Sequence, residues 1–297
     1  MERKLLFKIS QQDTNHTIYD YLKAQGFSSQ NIIDLKKMNR SILINQQWVH
    51  VNYRLNAGEE LLIHIQENSS NDKIIPSNLP FPIIYEDEDI VVINKPADMP
   101  IHPSQNNYGN TLANAAAYYY EVEKNTPFIF RCINRLDRNT TGLTILAKNM
   151  YSAGVLAGQM QRREIKRLYL AVIDGHLERK YGTIRLPIGR KSGSTIERQI
   201  DLEHGENAIT HYCRLRTIGN YTLAAFQLET GRTHQIRVHM ASLNTPLIGD
   251  TLYNTLPSAT ALPRQALHAY RISFTHPVTK EHMKFTAPIP EDILSLI

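Results

Sequence analysis

The segment Asn134-Arg135-Leu136-Asp137-Arg138-Asn139-Thr140-Thr141-Gly142 sets one carboxylate between two arginines, followed by a hydroxyl-rich turn and a glycine. Neighbouring cations favour the charged form of a carboxylate. Arginine suits the pairing because it stays charged and can hold a carboxylate bidentately. Carboxylates act as nucleophiles or as general acids and bases. One flanked by cations suits an ionised nucleophile or electrostatic stabiliser better than an acid held protonated. A glycosidase ordinarily needs a second carboxylate at controlled separation, and this motif supplies one. A purely structural ion pair at a strand end is the competing reading, since ion-pair networks also perturb carboxylates.

Three further stretches carry chemistry. Tyr169 alternates out of an apolar run through Leu168, Leu170 and Val172, a strand pattern. Its ring could stack on a base and its hydroxyl could handle a proton; an ordinary strand aromatic is the alternative. Gly231 to Asn244 reads as a turn into a helix, with Thr233 as N-cap and Ile236, Met240 and Leu243 as its apolar stripe. His234, Arg237 and Ala241 then fall on another face. A metal site built from His234 and His239 is disfavoured, because five residues place them about 140° apart on a helix, whereas metal-binding His-x-x-x-His uses i, i+4. His239 is expected to fix the fold by hydrogen bonds. Gly189-Arg190-Lys191-Ser192-Gly193-Ser194-Thr195 is basic and rich in small residues but lacks the P-loop order. It reads either as a loop touching phosphates or as a mobile surface loop. The serine-hydrolase elbow and the Rossmann glycine fingerprint are both missing.

These residues must be positioned by a chain of 297 residues, long enough for a catalytic domain and a small accessory one. Lys and Arg number 33 against 28 Asp and Glu, a net charge of +5 that favours a polyanionic partner. Cys132 and Cys213 form no metal-binding or CxxC pair. The polar start MERKLLFKISQQD does not read as a signal peptide, and no run approaches a membrane helix, so a cytoplasmic protein is expected. Residues 66–80, QENSSNDKIIPSNLP, read as a linker. Before it lie two helices, Thr17 to Gln25 and one capped by Ser28 or Ser29, then strands at 42–44 and 60–65. After it, strands at 90–94, 143–147, 168–172 and 222–228 mix with helices at 112–122 and 150–165. Runs of strands with a few packed helices indicate an α+β fold.

The stretch RCINRLDRNTTGLTILAKN resembles the signature segment of the RluA-type RNA pseudouridine synthases. That segment reads approximately His-Arg-Leu-Asp-Arg-Asp-Thr-Ser-Gly before an apolar strand ending Ala-Lys; Asn134, Asn139 and Thr141 depart from it. In the family's order follow Val92-Ile93-Asn94-Lys95-Pro96-Ala97 and Ile101-His102-Pro103, with Asp98 where glycine is more usual. Then come Arg167-Leu168-Tyr169-Leu170-Ala171, Thr230-Gly231-Arg232-Thr233-His234-Gln235-Ile236-Arg237-Val238-His239-Met240, Leu267-His268-Ala269 and Phe274-Thr275-His276-Pro277. The resemblance implies a mixed, largely antiparallel sheet with a catalytic cleft in residues 81–297. It implies site-specific isomerisation of uridine to pseudouridine in structured RNA, without a cofactor or metal. Asp137 would be the catalytic aspartate, Tyr169 would stack on the target base near C5, and Arg237 would pair with Asp137. Arg135, Arg138, Arg190, Lys191 and Arg232 are candidate RNA contacts.

Residues 1–65, with the turn Ile44-Asn45-Gln46-Gln47-Trp48-Val49, are similar to an S4 RNA-binding domain. Lys36, Lys37 and Arg40 would then face RNA. Such an appendage is more usual in relatives that modify large-subunit ribosomal RNA, which makes that RNA the favoured partner. Transfer RNA, and a non-catalytic S4-type binding protein, are the alternatives. A monomer is expected.

Overall fold

The computed structural model describes residues 1–71, 73–105, 107–255 and 262–297. Position 72 of the expected linker therefore lies outside the described residues. The N-terminal unit runs β1 (Glu2–Lys8), α1 (Ile18–Ala24), α2 (Ser29–Lys37), β2 (Ile42–Ile44), β3 (Gln47–Trp48) and β4 (Glu60–Gln66). Its sheet is ordered β1-β4-β2-β3, and every pairing is antiparallel. Thr17 caps α1 by accepting from the Asp20 amide, and Ser28 caps α2 by accepting from the Asn31 amide, each satisfying an orphan donor of the first turn.

The rest of the chain continues with β5 (Ile83–Glu86), β6 (Ile90–Lys95), α3 (Leu112–Ala117), β7 (Thr141–Ala147), α4 (Met150–Gln161), β8 (Lys166–Asp174) and β9 (Tyr181–Arg185). Then come the hairpin β10 (Ile188–Arg190) and β11 (Arg198–Ile200), β12 (Ile209–Ile218), β13 (Tyr221–Leu228), α5 (Gln235–Ser242), β14 (Leu267–Thr275), β15 (His282–Thr286) and α6 (Glu291–Leu294). Nine strands form one sheet, β5-β6-β7-β14-β8-β13-β12-β9, with β15 on the remaining part of β14. Among the described residues only the β7–β14 pairing is parallel, so the sheet is mixed and largely antiparallel. The expected helix at 112–122 changes character at Tyr118, where the turns widen to π geometry through Glu123. Among the described residues no helix is long and apolar enough to cross a membrane.

Every residue of β7 is buried, because both faces of the strand are covered. Leu143 and Ile145 pack with Leu156 of α4 and with Ile272 and Phe274 of β14. Leu146 points the other way, toward Val91, Ile93, Leu112 and Tyr120. Helix α5 lies over β8 and β13, where Ile236 and Met240 meet Tyr169, Ala171 and Phe226.

The N-terminal unit shares its core with the larger one: Met150 and Tyr151 of α4 belong to the same apolar cluster as Leu22, Phe27 and Ile32. Phe27 and Tyr151 meet at 4.4 Å between ring centres, and the Tyr151 hydroxyl donates to the Gln25 carbonyl. Arg3 holds buried Asp89 through two bonds of 2.9 and 2.8 Å. The segment after β4 is fastened as well. Ser70 and Asn71 accept from the amides of Phe128 and Phe130, and Glu67 pairs with Arg131.

Candidate active site

Asp137 sits in a turn that its surroundings hold from three sides. Buried Asn134 donates to the Leu143 carbonyl and accepts from the Ile145 amide, both at 3.0 Å. The Thr140 amide closes the turn on the Asp137 carbonyl at 3.1 Å. Lys95 is fully buried at the end of β6, and its ammonium donates to the carbonyls of Pro96, Met99 and Arg138 at 2.7, 2.9 and 2.9 Å. Burial pushes that amine down to about 7, against the attraction of Asp137. Gly142, the second residue of β7, adopts φ 110°, and a Cβ there would overlap the Ala269 carbonyl of the parallel partner strand. Only glycine fits, which explains the residue that ends the motif. Asp98 adopts φ 57°, a backbone position that suits the family's more usual glycine, and its carboxylate takes Arg138 at 2.6 Å.

Helix α5 brings Arg237 to the aspartate. The guanidinium is buried, and its Nη1 donates to Asp137 Oδ2 at 3.3 Å. Its stronger partner is Asp250, fully buried, which accepts from Nε and Nη2 at 2.7 and 2.8 Å. Burial works against the charge on Arg237, and Asp250 and then Asp137 more than offset it. The Tyr253 ring lies 5.0 Å from the guanidinium carbon. Asp137 Oδ1 has no hydrogen bond among the described residues, and the side chain keeps 23% exposure, so one carboxylate oxygen faces the open space.

The helix begins one residue later than the sequence suggests. His234, not Thr233, is the N-cap, at φ 59° and with no side-chain capping bond. This left-handed turn aims the imidazole at the site: Nδ1 meets the Tyr253 hydroxyl at 2.8 Å, and Nε2 lies 4.0 Å from Asp137. Burial lowers its proton affinity below the usual histidine value. Nor do the two faces of α5 differ as amphipathic spacing implies, since Gln235 to Met240 are all buried. His239 spends both ring nitrogens on Thr210 and the Leu186 carbonyl. Asp250, Tyr253 and Lys95 are the site residues whose roles sequence reasoning missed. Lys95 stands inside a family-like motif, but nothing in that motif marks it as buried. Asp250 and Tyr253 sit between regular elements, where no periodicity marks them.

Asp137, Tyr169 and Arg237 line one cavity of ≈ 230 Å³, floored by Leu136, Ile236 and Leu267. Asp137 is its only acidic lining residue among those described, which leaves a two-carboxylate glycosidase without its second group. Tyr169 is buried; burial pushes its hydroxyl up, and neighbouring Arg167 pulls it the other way. A second cavity of ≈ 420 Å³ shares Arg135, Asp137 and Arg232 with the first and extends to His102 and Ser104. Exposed Arg135 stands at the rim of both, whereas Arg232 is bound to Glu206 and to the Asn207 carbonyl. Arg138 turns to Asp98 instead. Arg190 and Lys191 lie at the end of the β10–β11 hairpin, where Lys191 pairs with Glu197 at 2.5 Å. Lys36, Lys37 and Arg40 are exposed on and after α2, with Lys37 3.8 Å from Asp34, and they line neither cavity.

The pattern of the family described as RNA pseudouridylate synthase matches residues 89–242, which spans the Asp137 turn, β8 and α5. An uncharacterized RNA pseudouridine synthase of Bacillus subtilis, YjbO, is 36% identical over 281 residues, covering 95% of this chain and 98% of its own. The ribosomal large subunit pseudouridine synthase D of Pasteurella multocida is 36% identical over 284 residues, 89% of this chain and 86% of its own. Among solved structures, human RNA pseudouridylate synthase domain containing 1 superposes with a TM-score of 0.59 at 27% identity, over 71% of this chain and 84% of that one. A buried arginine holding a half-open aspartate beside a buried tyrosine, within a matched region of more than half the chain, places this protein in the RNA pseudouridine synthase family.

Proposed function

We propose that this enzyme converts uridine to pseudouridine at a defined site in large-subunit ribosomal RNA, with Asp137, Arg237 and Tyr169 as its catalytic set. The observation that carries the reading is the single carboxylate in the cavity, oriented by Arg237 through one oxygen and open at the other. In the reaction the N1–C1′ bond breaks, the uracil turns in place, C5 bonds to C1′, and C5 gives up its proton while N1 ends protonated. An open carboxylate oxygen can act at the sugar, since an ionised carboxylate is a competent nucleophile and charge stabiliser. Tyr169 would pack against the turning base, with its hydroxyl near C5. The cavity of ≈ 230 Å³ must receive a base swung out of its stack. That extrusion costs a few kcal/mol and least where pairing is weak, so the target belongs in a loop, bulge or loose junction. The synthase D relatives favour ribosomal RNA over transfer RNA. Mapping pseudouridines in both RNAs from cells with and without the gene tests this. One ribosomal uridine that loses its modification is expected; a change confined to transfer RNA would overturn the assignment of target.

The N-terminal residues 1–65 are proposed as an S4-like RNA-binding unit, acting in a cytoplasmic monomer. Support comes from the exposed cations Lys36, Lys37 and Arg40 around the end of α2. Each cation that neutralises a phosphate steepens the fall of log affinity with log salt by about 0.7 on single-stranded RNA. Replacing all three by alanine is therefore expected to flatten that slope by about 2. An unchanged slope would show that RNA does not touch this face.

A further inference from the structure

Among the described residues four cations are buried: Lys95, Arg167, Arg237 and Arg264. Three have their charge answered. Lys95 has three carbonyls, Arg237 has Asp250 and Asp137, and Arg264 holds Asp292 through two bonds of 2.7 Å. Arg167 does not. It is 8% exposed, no carboxylate pairs with it, and its Nε has no acceptor. Among the described residues its partners are neutral ones, the Thr230 carbonyl at a long 3.5 Å from Nη2 and the neighbouring Tyr169 hydroxyl. A buried charge without a partner costs several kcal/mol, so a residue of this kind needs an acceptor from elsewhere.

The place of Arg167 says which acceptor. It lines the same cavity as Asp137 and Tyr169. It precedes Tyr169 by two positions on β8, hence on the same face, and is close enough to influence the tyrosine hydroxyl. Gly231 makes room, since a Cβ there would come within 3.0 Å of Nη1. Phosphates run outside such a pocket, where exposed Arg135 stands; what reaches the floor is the base. With the Tyr169 hydroxyl near C5, the group beside it meets C4 or C6, and of these only C4 carries an oxygen that a guanidinium can bond.

We propose that Arg167 reads the target base, donating to O4 of the uracil turned into the cavity. This rests on the reading of the site as a uridine isomerase. The guanidinium only donates. It therefore donates to the uracil carbonyl and opposes the cytosine amino group, which also only donates. It serves the chemistry as well. When N1–C1′ breaks, the bonding electron pair leaves with the base and spreads over the ring onto O2 and O4. A fixed, dry cation at O4 is better matched to that charge than to neutral uracil, the condition for lowering a barrier.

The test uses a synthetic stem–loop RNA whose loop uridine the wild-type chain converts, so conversion by wild type checks the parent reading separately. The same RNA is made with cytidine or an abasic ribose at that position. In the non-converting Asp137→Asn chain, uridine RNA is expected to bind about 10- to 100-fold tighter than either, the range of a charged buried hydrogen bond. Adding Arg167→Met should erase that preference. Arg167→Gln keeps a donor and adds an acceptor, so it should bring cytidine up to uridine while still rejecting the abasic RNA. It carries the test if the methionine variant does not fold. In the otherwise wild-type chain, Arg167→Gln should slow single-turnover conversion about 10-fold or more. An equal loss on all three RNAs with a flatter salt slope would make Arg167 a phosphate contact and overturn the proposal. A lowered melting temperature with the uridine preference intact would overturn it too, leaving a structural role.

Discussion

Asp137→Asn is expected to form no detectable pseudouridine while binding RNA with near-normal affinity. The substitution keeps the size of the side chain and can still accept from Arg237 Nη1, now at 3.3 Å. It removes the negative charge and the carboxylate oxygen that faces the cavity, the group proposed to act at the sugar. Loss of a group that acts directly on the reacting bond costs about 10⁴-fold or more. In the proposed reading, binding is spread over phosphate contacts and the base pocket, which the change leaves in place. Single-turnover conversion and equilibrium binding on one RNA separate the two effects. Substantial residual turnover would sink the assignment of Asp137.

Asp250→Ala should be almost as damaging, though Asp250 does not line the cavity. It takes two of the three nitrogens of Arg237 and leaves only Nη1 for Asp137. Its Oδ1 also accepts from the amides of Leu252 and Tyr253, which orients the tyrosine against the guanidinium and His234. Removing it strands a buried cation, a loss of about 3–5 kcal/mol. A freed guanidinium would also turn its fork onto Asp137 and occupy the open oxygen, so a turnover loss of about 100-fold is expected even in folded protein. Asp250→Asn, which retains the amide contacts, separates the two: it should fold well and still turn over slowly. Normal thermal stability and normal turnover in Asp250→Ala would show that Arg237 needs no such support.

Local chemistry was readable where a residue's role is decided by its near neighbours. Of the two serines expected to cap α2, Ser28 does so, because a hydroxyl three residues before a free amide is a local matter, whereas Thr17, expected as the first residue of its helix, is the cap of α1. The run to Ala147 is a strand because it is apolar on both sides and ends against Lys148 and Asn149. Strand β1 went unread. It buries only Leu5, so its alternation is hidden, and it exists by pairing with β4, more than fifty residues away. The Thr233 cap failed because His234 takes a left-handed turn that serves the site rather than the helix. At Tyr118 the helix widens to π geometry, and the hydroxyls of Tyr119 and Tyr120 reach Glu86 on β5, a partner invisible to helical spacing. Of the site, Asp137, Tyr169 and Arg237 stood in motifs. The pairing of Arg237 with Asp250 was not legible, because it joins a helix to a loop through space alone.

Strand β14 lies between β7 and β8, parallel to the first and antiparallel to the second. The turn bearing Asp137 leads into β7, and Tyr169 sits on β8, so the two halves of the cleft have no seam until β14 is laid between them. Leu267, its first residue, also lines the cavity. Synthesis runs from the N-terminus and early segments fold first; contacts between distant segments form late and slowly. A nascent chain therefore carries its aspartate and its tyrosine long before it has a pocket, with two central strand edges waiting for a partner. Topology withholds the pocket until β14 has been made, and a chain stopped before Leu267 is expected to be inert and prone to aggregate.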